Sequence, residues 1–166
     1  MSSIQTLTTP EAPPARIAAA WLLVAAWAGI VWWLGTDQFG AGVTSRWLAP
    51  LINWLWPTAT PAQRFAALMT VRKLAHPSVY AVLAGLAFRA ALLSGVSGLA
   101  RGAAIALAMA LCVAGADELR QTHTRTRTGT ASDVALDAAG ASAALAGLSY
   151  ARRRARSVPS ASAQRA

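Results

Sequence analysis

Apolar residues in this chain come in long blocks. The first, Ile17 to Gly35, is nearly unbroken, and at 1.5 Å of rise per residue it covers roughly the 30 Å hydrocarbon core of a bilayer. Three further blocks follow, Pro77 to Leu93, Leu99 to Ala116 and Asp133 to Ala151. Arg89 near the far end of the second reaches the headgroups along its own stem. The pattern predicts an all-α integral membrane bundle of four transmembrane helices, with spans at about 17–35, 77–93, 99–116 and 133–151.

Between the first two blocks lies a loop-like stretch, Thr36 to Thr60, containing the tryptophan-rich piece Trp47 to Trp56. Ten residues cannot cross a bilayer. With tryptophans at both ends and Pro50 in the middle, this piece is expected to lie in the interface as a short amphipathic segment. Thr60-Pro61 then offers an N-cap followed by proline at the first helical position, opening a helix over Ala62 to Ala75. Pro77 either starts a new helix or kinks a continuous one. Gly85, Gly102, Gly115, Gly140, Ala144 and Gly147 permit close helix packing.

Composition agrees with the membrane class: 55% hydrophobic residues, 13% charged and a mean hydropathy of +0.42. The leader, residues 1–15, holds three prolines and no basic residue, and is expected to be disordered. A first block this long, ending in Trp32-Trp33, suits a retained anchor better than a cleaved signal peptide. The domain therefore runs over 16–151, with a basic tail over 152–166. The net charge of +9 does not point to nucleic acid, because Arg152, Arg153, Arg154 and Arg156 directly follow the last block and no basic face is interleaved with stacking aromatics. The density of that tail favours both termini on the cytoplasmic side. Cys112, inside an apolar block, offers neither a disulfide nor a thiolate pair.

Against this background the polar run from Asp117 to Asp137 stands out, since it holds four of the six acidic residues. Ionisable groups so near hydrocarbon are expensive and are candidates for function. With four spans, Arg72, Lys73, His76 and Tyr80 around the start of span two reach the same membrane face as Asp117, Glu118 and Gln121 at the end of span three. Asp133 and Asp137 at the start of span four join them. His76 and Tyr80, Asp117 and Gln121, and Asp133 and Asp137 are each four apart, so each pair shares a helix face where the segment is helical. A polar site lined from three helices follows, and the orientation makes it extracytoplasmic. Asp137, one turn inside an apolar helix, requires a partner such as Arg127, Lys73 or His76.

The ordered pattern Arg72-Lys73-x-Ala75-His76-x-x-x-Tyr80, Asp117-Glu118-x-x-Gln121, Arg127-x-Gly129, Asp133-Val134 and Asp137-x-x-Gly140 resembles the VanZ-like family of small bacterial membrane proteins, over about Arg72 to Gly147. Pro77 and Val79 depart from the family's usual aromatic and glutamate. The resemblance implies Lys73, His76, Tyr80, Asp117, Glu118, Gln121, Arg127, Asp133 and Asp137 as motif positions. It also implies a bacterial cytoplasmic membrane and a link to teicoplanin resistance. Three roles stay open. One is binding of a cell-wall lipid precursor or a glycopeptide through Arg72, Lys73 and Arg127. A second is catalysis on a lipid-linked substrate with His76 or Glu118 as general base. The third is a structural subunit fixed by buried ion pairs. No metal-motif spacing, nucleophile elbow or phosphate loop occurs, so no metal or cofactor is expected. Oligomeric state stays open.

Overall fold

In hydrocarbon a backbone must satisfy its own hydrogen bonds, which makes uninterrupted apolar runs helical. A computed structural model describes residues 12–36, 38, 41–122 and 131–157, and among these every regular element is a helix. They are α1 (Pro14–Leu34), α2 (Ala41–Leu55), α3 (Pro61–Leu93), α4 (Leu99–Gln121) and α5 (Ala131–Ser157). Helices α1, α3 and α4, and α5 from Ser132, are long and apolar enough to cross a membrane. The leader through residue 11, the stretch 123–130 with Arg127, and the tail beyond 157 lie outside the described residues.

The start of α3 follows from its cap. Thr60 Oγ1 accepts from the Gln63 backbone N–H at 3.3 Å, while Gln63 Oε1 accepts from the Thr60 N–H at 2.8 Å, with Pro61 at the first position. Of the two alternatives at Pro77 the continuous helix is found: α3 runs 33 residues, about 50 Å. Pro77 brings no N–H, so the Lys73 carbonyl loses its helical donor at that point. A helix of this length exceeds the hydrocarbon thickness, so its first turns project past the bundle end. There α2 packs on it. Where a loop with a short element was expected, α2 is a 15-residue helix containing Pro50. It exposes Trp47, Leu51, Trp54 and Leu55 as one stripe, suited to the lipid interface.

At the other end, α3 stops in a paired reverse turn. The Val96 N–H bonds the Ala91 carbonyl at 3.2 Å and the Gly95 N–H the Leu92 carbonyl at 3.3 Å, and Gly95 takes φ +82°, where only glycine is unstrained.

Helix α3 is the hub, packing on α5, α4, α1 and α2. Its Tyr80, Leu83, Ala87 and Phe88 meet Ala106, Ala110 and Ala114 of α4, Ala141 and Leu145 of α5, and Val24 and Val31 of α1 in one core cluster. The alanines let the backbones approach closely, since helices in lipid gain by packing rather than by leaving water. The closest approach is at Gly140, where an added Cβ would collide with the Pro77 carbonyl. Gly102 likewise faces Phe88 and Leu92, whereas Gly115 and Gly147 face open space and serve no close contact.

Candidate functional site

Helix α4 runs past the expected end of span three at Ala116 to Gln121, so Asp117, Glu118 and Gln121 belong to its last turns. All three are buried, Asp117 and Gln121 being 5% exposed and Glu118 9%. Asp117 is satisfied at both oxygens. Arg120 Nη2 donates to Oδ1 at 2.5 Å and Gln121 Nε2 donates to Oδ2 at 2.6 Å. The same guanidinium donates to the Trp32 carbonyl at 2.9 Å and lies 4.4 Å from the centre of the Trp32 ring, so it bolts the end of α4 to the end of α1. Gly35 is where this contact is tightest. A Cβ there would overlap both the Asp117 carboxylate and the Arg120 guanidinium.

Asp137 on α5 is 3% exposed. Its Oδ1 lies 3.9 Å from His76 Nδ1, an ion-pair separation too long for a hydrogen bond, and that oxygen has no hydrogen-bond partner among the described residues. Of the partners the sequence offered for Asp137, His76 is the one found beside it among the described residues, and Arg127 lies outside them. Asp117, Glu118 and Asp133 lie within electrostatic reach of it. Buried Tyr80 is within reach of Asp117, Glu118, Asp137 and Arg120, so the three stretches expected to converge do so.

Beside these groups opens a pocket of about 180 Å³. Its walls are apolar, with Val31 and Leu34 of α1, Leu48 of α2 and Val71 and Val79 of α3, while Arg72, His76, Tyr80 and Asp117 supply polar groups. Arg72 is fixed in place by a 2.9 Å bond from its Nη1 to Thr44 Oγ1 of α2. The pocket is thus amphiphilic, with aliphatic sides and a base, a cation and a carboxylate at its polar part.

The structure therefore gathers Arg72, His76, Tyr80 and Asp117 on the pocket and buries Glu118, Gln121 and Asp137 beside it. Asp133 is half-buried in the first turn of α5. Lys73 is exposed and does not line the pocket, and Arg127 falls outside the described residues. Arg120, the partner of Asp117, is the residue at this site that the sequence reading missed. Its spacing of three from Asp117 is the signal that identifies it. Among the described residues no three His, Cys, Asp or Glu side chains are grouped to hold a metal ion. Comparison of the chain with protein-family models, with curated proteins and with solved structures found no match in any of the three.

Proposed function

We propose that this is a VanZ-like protein of the bacterial cytoplasmic membrane that holds an amphiphilic cell-envelope ligand, a lipid-linked wall precursor or a glycopeptide of the teicoplanin type, in the pocket between α1, α2 and α3. Both termini are cytoplasmic, so the pocket is extracytoplasmic, and ligand capture contributes to glycopeptide resistance. The observation that carries this reading is the pocket's construction: aliphatic walls for a lipid chain or aglycone, with Arg72 locked on Thr44 to meet an anionic group. The test is binding of lipid-linked precursor and of teicoplanin to the protein in nanodiscs. Saturable binding is expected, weakened about tenfold by Arg72→Ala and unaffected by Arg101→Ala at the opposite end. Absence of saturable binding to either ligand overturns the reading.

A second reading is favoured by one geometric feature. His76 lines the pocket with buried Asp137 3.9 Å from its Nδ1, a carboxylate that would orient the imidazole as general base once the two close to hydrogen-bond distance. In that reading the chain is a membrane-embedded hydrolase or transferase acting on a lipid-linked substrate. Turnover lost in His76→Gln and kept in Glu118→Gln assigns the base to His76. The reverse assigns it to Glu118, and turnover kept in both removes this reading.

A further inference from the structure

The end of the bundle remote from the acidic site carries a second cavity, of about 470 Å³. Four arginines line it from three helices: Arg16 in the first turn of α1, Arg89 near the end of α3, and Arg152 and Arg156 near the end of α5. Among the described residues none of the four makes an ion pair with an acid, because Asp117, Glu118, Asp133 and Asp137 all sit at the other end. Arg152 is held in position by Phe88, its guanidinium lying 5.3 Å from the ring centre. Four like charges around one cavity repel each other, and the arrangement is relieved by an anion.

A second, independent feature points into the same cavity. Ser97, Gly98 and Leu99 form its lining at the start of α4, and that helix has no side-chain cap. Its first-turn N–H groups are therefore free to donate, and the positive end of a 23-residue helix faces the cavity. Gly98 takes φ +88°, so the backbone comes to the cavity with no side chain in the way. Leu92, Leu93 and Leu99 add apolar wall beside the arginines, at the level where the spanning segments end.

We propose that this cavity is a site for the phosphodiester headgroup of an anionic phospholipid, with the arginines and the α4 amides on the phosphate and the leucines against the start of the acyl chains. Four guanidinium groups match the two phosphates of diphosphatidylglycerol better than the single phosphate of phosphatidylglycerol. The site is separate from the pocket beside His76 and does not depend on the function proposed for that pocket.

The experiment is lipid titration of the full chain in phosphatidylcholine nanodiscs, read by native mass spectrometry and by thermal unfolding. Diphosphatidylglycerol is expected to bind saturably and to stabilise, phosphatidylglycerol to do so more weakly. Arg89 and Arg156 are both exposed, so the double variant Arg89→Gln, Arg156→Gln is expected to fold and to weaken binding on the order of tenfold or more. Arg153→Gln removes a charge from the same stretch of α5 outside the cavity and is expected to leave binding unchanged. Equal weakening by Arg153→Gln, or none by the double variant, overturns the site in favour of diffuse surface attraction. Inorganic phosphate is expected not to displace the lipid. Displacement at matched concentration assigns the cavity to a soluble anion and overturns the lipid.

Discussion

At the scale of single residues, the two buried carboxylates differ in a way that decides what their removal does. Asp117 has both oxygens bonded and its charge neutralised by Arg120, so removing Arg120 strands a buried charge. Arg120→Ala is expected to destabilise by about 3 kcal/mol, and Asp117→Asn in the same chain to restore much of the loss, measured by unfolding in mixed micelles. Asp137 is the opposite case. With one oxygen unbonded among the described residues and three acids in reach, Asp137→Asn is expected to leave the unfolding midpoint unchanged or raise it while impairing the site. A lowered midpoint shows that its charge is compensated. Gly35→Ala places a methyl group where the Asp117 and Arg120 side chains now lie, and is expected to cost about 1–3 kcal/mol through their displacement.

At the scale of elements, the packing of α3 against α5 turns on the contact of Gly140 with Pro77. A Cβ at residue 140 meets backbone rather than a movable side chain, so even Gly140→Ala forces the helices apart. The expected cost is again about 1–3 kcal/mol, with Gly147→Ala, which faces open space, close to neutral in the same unfolding assay. Element boundaries show where sequence reasoning succeeds. Thr60-Pro61 and Gln63 announce the start of α3 by local chemistry, and apolar run length announces the spans. Reach through Pro77 was left undecided, because proline removes one hydrogen bond but tertiary contact with α5 decides whether the helix goes on. The extension of α4 to Gln121 was hidden for a related reason. The apolar run ends at Ala116, and only the partners supplied by Arg120, Gln121 and Trp32 show that the polar residues beyond it are buried on the same helix.

At the scale of the whole molecule, the convergence of Arg72, His76 and Tyr80 with Asp117, Glu118 and Asp137 was legible, because an even number of crossings returns alternate helix ends to one face. Which neighbours share a wall was not. Arg72 and Lys73 are adjacent in sequence but point about 100° apart on a helix, and only packing against α2 shows that Arg72 faces the pocket. Four crossings also require the ends of α4 to lie on opposite sides of the membrane. With Cys112, the single cysteine, replaced by serine, a cysteine at Thr122 is expected to react with an impermeant maleimide from outside intact cells. One at Ser97 is expected to react only after lysis. The reverse pattern inverts the orientation, and equal labelling of both refutes the crossing.

Pro77 leaves the Lys73 carbonyl without its usual helical donor, which makes this the point where α3 bends most easily. Its inner arm is clamped at the fulcrum by Gly140, while its outer arm carries α2 with it through Arg72 and Thr44. A tilt of about ten degrees at the joint swings the Thr60 end by about 4 Å yet scarcely moves His76, one residue from the pivot. Such a tilt would shift Arg72 and the α2 wall of the pocket relative to the imidazole, changing the pocket's width while His76 keeps its place beside Asp137.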